Sequence, residues 1–220
     1  MRDAMRAGLL DCMTGPYQGN VLPPEVPWGA DNGRFAKDGP RGDWLGHGAW
    51  YEWLAGQVDR YGAAFCRFAV APDVPFSAAG TLAESLPWLA KIRDLGIPAA
   101  FAAQNGCDLL GVPWDDLDVL FLAGGPDYPG APEWKTGEVA LHLTWEAHER
   151  GKWVHMGRVN SRKRLTIARS FGCDSVDGTY LAFGPDINLM RLRGWLDAAE
   201  ARPMLTELGR LAADTTETKD

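Results

Sequence analysis

The chain alternates short apolar runs with stretches of helical periodicity, and this alternation most limits what it can fold into. Runs at residues 8–13, 26–30, 65–71, 99–103, 117–123, 152–156 and 173–176 read as strands. Helical patterns occupy residues 49–61, 82–95, 133–150, 161–171, 188–196 and 202–213. Strands separated by helices pair in parallel, so the expected class is α/β with a parallel sheet. Seven strands are one short of a (β/α)8 TIM-type barrel. Residues 179–183 offer an irregular eighth strand, and without it the barrel is reduced or open. Pro87 is expected in the first turns of its helix or at a kink. Gly151 and Gly172 are placed to close helices, and Asn160 or Ser161 to open one. The Gly-rich stretch 36–48 reads as a surface loop, and residues 215–220 as a polar tail.

With 220 residues, 46% of them hydrophobic, and no dividing linker, the chain is expected to form one domain over residues 1–220. A net charge of −7 argues against coating a nucleic acid by bulk charge. A local basic patch remains, formed by Arg158, Arg162, Lys163 and Arg164; it is either a polynucleotide contact or a solvated helix start. The four cysteines, Cys12, Cys66, Cys107 and Cys173, lie far apart without a CxxC, so neither zinc nor another cofactor is expected. They fit buried thiols in a reducing compartment. The N-terminus lacks a signal-type apolar stretch and no run reaches membrane-spanning length, so a cytoplasmic location is expected.

Several polar groups fall where the apolar runs stop. Asp31, Asp73 and Asp177 follow three runs, Gln104 a fourth, and the Gly124–Gly125 pair a fifth. In a parallel barrel all of these meet at the C-terminal face, where such barrels hold their active sites. Each also has a plain reading. Asp-Asn-Gly at Asp31 is an ordinary turn, Asp73 a cap, Gln104 a solvated side chain, and the glycines a turn needing positive φ.

Taken in order, these motifs resemble the tRNA-guanine transglycosylase superfamily, nearest its small, zinc-free, phage-type DNA 7-deazaguanine members. The resemblance runs from about Trp28 to Asp186. Asp31-Asn-Gly-Arg-Phe35 is similar to Asp-Ser-Gly-Gly-Phe/Tyr, Gln104-Asn-Gly to Gln-Gly-Gly, Val154-His-Met156-Gly to Leu-Met-Gly, and Gly172-Cys-Asp-Ser-Val-Asp177 to Gly-x-Asp-x-Phe-Asp. The resemblance implies Asp177 as nucleophile and Asp31 as general acid/base. Phe35, Asp73, Gln104, Gly124, Gly125 and Met156 would hold the base, and Asp174 would be structural. It further implies exchange of guanine for a 7-deazaguanine base through a covalent aspartyl intermediate. DNA is the favoured polymer over tRNA, contacted by Arg158, Arg162, Lys163 and Arg164. If the gene is phage-borne the location is the host cytoplasm. A homodimer or an accessory protein is a further expected partner. Asn32, Arg34 and Asn105 depart from the pattern, as does Gly178-Thr-Tyr-Leu-Ala-Phe183, where the family has Pro-Thr-Arg. The tRNA enzymes' C-terminal zinc module has no counterpart here. Three other readings stand beside this one: an N-glycosyl transferase or hydrolase acting on a free nucleoside or nucleotide, a non-catalytic purine-binding module, and a barrel of unrelated function.

Overall fold

Seven parallel strands form one sheet in strictly sequential order, which is the topology of a TIM-type barrel cut open. The computed structural model describes residues 1–36 and 39–200. The sheet comprises β1 (Cys12–Thr14), β2 (Trp28–Ala30), β5 (Cys66–Val70), β6 (Ala99–Ala103), β7 (Val119–Leu122), β8 (Trp153–Met156) and β9 (Ser175–Val176). The short strands β3 (Phe35–Ala36) and β4 (Gly39–Pro40) pair separately and antiparallel, at the start of the stretch expected to be loop. The helices are α1 (Arg2–Arg6), α2 (His47–Tyr61), α3 (Ala78–Asp94), α4 (Cys107–Leu110), α5 (Glu138–Glu149), α6 (Arg162–Phe171) and α7 (Pro185–Glu200). The expected helix 202–213 and the tail lie outside the described residues.

Side chains alternate between two environments along each strand, as β geometry requires. On one face Leu120, Leu122, Val154 and Met156 pack with Leu143 and Ala147 of α5 and with Leu165, Ala168 and Phe171 of α6. Trp28, Ala30, Ala69, Ala99 and Phe101 do the same with Trp50 and Leu54 of α2 and Leu89 and Ile92 of α3. On the other face Phe68, Val70, Ala100, Ala102 and Val119 meet only strand and strand-end residues, among them Met13, Phe121 and Ala123.

This second face is concave. The rings of Phe68 on β5 and His155 on β8 lie 4.8 Å apart, although three ladder steps separate them, about 14 Å on a flat sheet. Small alanines on β6, between the rings of its neighbours, leave room for the curl.

Local chemistry explains the element boundaries. Pro27 has no N–H for the ladder, so β2 starts at Trp28, while the Pro27 carbonyl accepts from Cys12 N. Ser77 caps α3 through Gly80 N, so that helix begins early and carries Pro87 mid-length. Ser161 caps α6 and Gly172 closes it in the left-handed conformation. Residues 179–183 do not add a strand. The Asn188 side-chain amide takes the carbonyls of Tyr180 and Phe183, which folds the segment into a 3-10 turn at Tyr180–Ala182 ahead of α7. Among the described residues the sheet therefore stays open between β1 and β9.

No helix among the described residues is long and apolar enough to cross a membrane.

Candidate active site

Two carboxylates finish the concave face. Asp31 follows Gly29 by two residues, and a side chain on Gly29 would meet Met13 and Phe68 of the inner cluster. Asp177 follows Ser175 of β9 by two. Alternation turns both inward at the C-terminal end of the sheet.

Asp31 is partly buried, with its backbone N–H on the Thr14 carbonyl at 2.7 Å and its Oδ1 accepting from Gly33 N at 3.0 Å. Burial pushes its carboxyl up to about 6, against the pull of the Gly33 N–H and with help from the Asp177 and Asp73 carboxylates. The loops that follow β2 and β8 touch across the curl, through Phe35 and Arg158.

Asp177 is held by donors on one oxygen. His155 Nε2 lies 3.1 Å from Oδ1, and the Arg158 backbone N–H donates to the same atom at 3.1 Å. His155 is 4% exposed, with its ring stacked on Phe121. Its Nδ1 lies 2.8 Å from Ser175 Oγ, which in turn accepts from Trp153 Nε1 at 2.9 Å. An indole nitrogen can only donate, so the serine hydroxyl proton is free for Nδ1. This network assigns the imidazole proton to Nε2, which donates to Asp177. Oδ2 has no hydrogen-bond partner among the described residues.

A buried cation stands behind this carboxylate. Lys135 is 3% exposed, and its Nζ donates to the Gly157 carbonyl at 2.8 Å. Desolvation pulls its ammonium down to about 8, opposed by Glu133 and reinforced by Arg158 and Arg164.

Asp73, Gln104 and Asn32 form a closed network beside Asp31. Asn32 Nδ2 donates to the Ala71 carbonyl and to Asp73 Oδ1, at 2.8 and 2.9 Å. Gln104 Nε2 donates to Asp73 Oδ2 at 2.6 Å, and Gln104 Oε1 accepts from Phe76 N at 3.0 Å. Burial raises the Asp73 carboxyl against the pull of these two amides. The network ties the loops after β2, β5 and β6 together, and it occupies the polar atoms that the sequence pattern assigned to a ligand. Gln104→Ala leaves a buried carboxylate oxygen and the Phe76 N–H unpaired. Each orphan costs about 1–3 kcal/mol, so a loss of about 3 kcal/mol is expected in chemical denaturation. A loss under about 1 kcal/mol would show water replacing the amide without difficulty.

At the rim, Phe35 meets Phe76 edge-on with ring centroids 5.6 Å apart, and the Arg158 guanidinium sits 4.3 Å over the Phe35 ring. Phe76 and Arg158 both take positive φ, 66° and 59°, which is strained for side chains of their size.

The structure therefore gathers Asp31, Asp177, Phe35 and Arg158 around one concavity, with Asp73 and Gln104 one layer behind Asp31. Other expected site residues go elsewhere. Met156 is fully buried on the convex face against α5 and α6, because it alternates with inward-facing His155. Gly124 and Gly125 lie against the Trp134 and Phe76 rings of the protein itself, where any side chain would collide. Arg164 binds Glu133 at 2.5 Å, whereas Arg162 and Lys163 are exposed on the first turn of α6. Asp174 is structural, accepting from Val154 N at 2.7 Å and sitting 3.1 Å from His148 Nε2.

Sequence reasoning missed His155, Ser175 and Lys135. Strand periodicity could have found the first two, since they share the parity of Gly157 and Asp177. Nothing local marked Lys135. Among the described residues, no group of three or more His, Cys, Asp or Glu side chains is placed to hold a metal.

No family model and no curated protein matches the chain. Among solved structures it is similar to the Xanthomonas citri FimX EAL domain in complex with c-diGMP. That match has 15% identity and a TM-score of 0.43, and covers 71% of this chain and 59% of that one. It is also similar to the Bacillus subtilis YkuI protein, with an EAL domain, in complex with c-di-GMP and calcium. Here the identity is 13% and the TM-score 0.44, covering 88% of this chain and 47% of that one. The chain thus spans less than two thirds of either structure. These findings correct the transglycosylase resemblance, and with it guanine exchange, the 7-deazaguanine base and the DNA or tRNA partner. The geometry agrees with the correction: the atoms read as base-edge contacts at Asp73 and Gln104 are spent on each other, on Asn32 and on the Phe76 N–H, and Met156 faces the helices.

Proposed function

We propose that the chain is a small-molecule hydrolase that cleaves an N-glycoside of nucleoside or nucleotide type by direct attack of water. The carrying observation is the pair Asp31 and Asp177, two carboxylates on one concavity in opposed environments. Carboxylates set apart in this way divide into acid and base. Asp31, raised to about 6, retains a proton to give away near neutrality. Asp177 is anchored through Oδ1 by His155 and the Arg158 N–H, which leaves Oδ2 to accept a proton.

In the reaction, Asp31 donates its proton to the departing heterocycle as the C–N bond breaks. Water adds to the sugar carbon and gives its proton to Asp177 Oδ2. The products are the free base and the sugar, and exchange with solvent restores both carboxyl groups. The Phe35–Phe76 edge and the Arg158 guanidinium give a planar group a surface to stack on. A net charge of −7 supports a small substrate over a polyanion.

The test is to incubate the protein with a panel of nucleosides, nucleotides and cyclic di-GMP, following free base and reducing sugar. Base release that disappears in Asp177→Asn supports the reading. Opening of cyclic di-GMP without base release, or no turnover of any compound, overturns it.

A further inference from the structure

The two hydrogen bonds that flank residues 157 and 158 belong to one peptide group. Lys135 Nζ donates to its carbonyl, the oxygen of Gly157, at 2.8 Å. Its N–H, that of Arg158, donates to Asp177 Oδ1 at 3.1 Å. A cation on the oxygen of an amide polarises it and strengthens its N–H as a donor.

We propose that Lys135 is a positioning residue for Asp177, acting on the carboxylate through the 157–158 peptide. The inference rests on the reading of Asp177 as the base.

Three observations carry it. First, the peptide is not in a relaxed conformation: Arg158 holds φ at 59°, which a residue of its size adopts only when its surroundings impose it. The Lys135 bond on one side and the Asp177 bond on the other supply that constraint. Second, Gly157 has to be glycine for this placement. A side chain there would strike the Phe121 ring at 2.7 Å and approach Asp177 Oδ1 at 3.4 Å. Third, a lysine 3% exposed is costly to bury, and it is balanced by little else. Its nearest carboxylate oxygen, Glu133 Oε2, is 3.8 Å away, and the other Glu133 oxygen is taken by Arg164 at 2.5 Å. The charged groups facing Lys135 are Glu133 from its own turn, Arg158 and Asp177 from the loops after β8 and β9, and Arg164 from α6. The short direct bond goes to the peptide.

The test compares Lys135→Met and Lys135→Arg in the full chain. Turnover is measured on an N-glycoside that the wild type cleaves, and hydrogen exchange is followed at the Arg158 amide. Lys135→Met is expected to lower kcat roughly ten- to a hundredfold with KM unchanged, since a bond to a charged group is removed. Protection of the Arg158 amide should fall about tenfold. Lys135→Arg, which keeps both charge and donor, should recover most of each loss.

An unchanged kcat in a folded Lys135→Met overturns the inference. So does a kcat loss with the Arg158 amide still fully protected, and so does a folded Lys135→Arg that recovers neither. If the wild type cleaves nothing in the panel, the functional reading fails. The exchange experiment still decides this inference, because protection lost in Lys135→Met and regained in Lys135→Arg supports it, and protection indifferent to both substitutions overturns it.

Discussion

Asp31→Asn is expected to stop turnover and to stabilise the protein at pH 7. The loss of activity follows from the proposed role: an amide has no proton to give, and removing a general acid costs on the order of 10²- to 10⁴-fold in kcat. The gain in stability follows from linkage. The folded protein raises Asp31 from 3.8 to about 6, so between those values it binds a proton that the unfolded chain has released. Stability from this group is fully present below about pH 4 and is lost as pH rises through 6. By pH 7 the wild type carries a buried charge that costs about 3 kcal/mol at most, since each tenfold change in proton affinity is worth about 1.4 kcal/mol. Asparagine keeps an acceptor for Gly33 N and lacks the charge. For a chain of this length the change corresponds to a Tm higher by several degrees at pH 7. The advantage should vanish near pH 3, where the wild-type carboxyl is protonated in both states. Thermal unfolding at the two pH values checks this, and equal Tm values at pH 7 would refute the buried-acid account. In the wild type, kcat should fall about tenfold for each step of one in pH above 6 as Asp31 loses its proton.

Asp177→Asn should have a comparably large effect on turnover and little effect on the fold. The side chain is one-quarter exposed, so its replacement empties no core. The Arg158 N–H can still donate to the asparagine oxygen, and His155 can keep its place through Ser175. What disappears is the basic oxygen, and kcat should drop by about 10³-fold or more. KM should hold, because Phe35, Phe76 and Arg158 remain to bind the planar group. Steady-state kinetics separates the outcomes. A rise in KM at constant kcat would make Asp177 a binding group and move the base elsewhere.

The central strands were readable because they are buried on both faces, and the apolar run β6 at Ala99–Ala103, buried throughout, has the same bounds in sequence and structure. The ends of helices were less readable where tertiary contacts outweigh propensity. The pattern 133–150 looks helical from its first residue, yet α5 starts at Glu138. Trp134 instead sends its backbone N–H to the Gly125 carbonyl, and Lys135 is drawn inward to Gly157. Neither partner lies within helical reach in the sequence. The same limit hid Lys135 from the sequence-based view of the site.

Asp31 and Asp177 were legible as strand-end acids, and the structure brings them together. Met156 was misplaced by reading a motif without its parity. One residue along a strand reverses the face, and the inward position belongs to His155. Asp73 and Gln104 were found in the right region, but the sequence could not show that they would satisfy each other across 31 positions. The family resemblance rested on short motifs in order, and such order is also produced by any sequential parallel sheet whose loops carry polar residues.

The seam that the described residues leave open governs how Asp31 and Asp177 are spaced. Asp31 follows the second strand from one margin and Asp177 follows the strand at the other. In a complete barrel an extra strand would fix that separation as a hydrogen-bonded dimension. Among the described residues it is set by how tightly the sheet is rolled and by the Phe35–Arg158 contact across the mouth, so bulk added on the inner wall, at Ala100 or Ala102 for instance, should act as a wedge that pushes the carboxylates apart. A substrate gripped by both would do the reverse and work as a clasp, completing mechanically a ring that the described residues leave open.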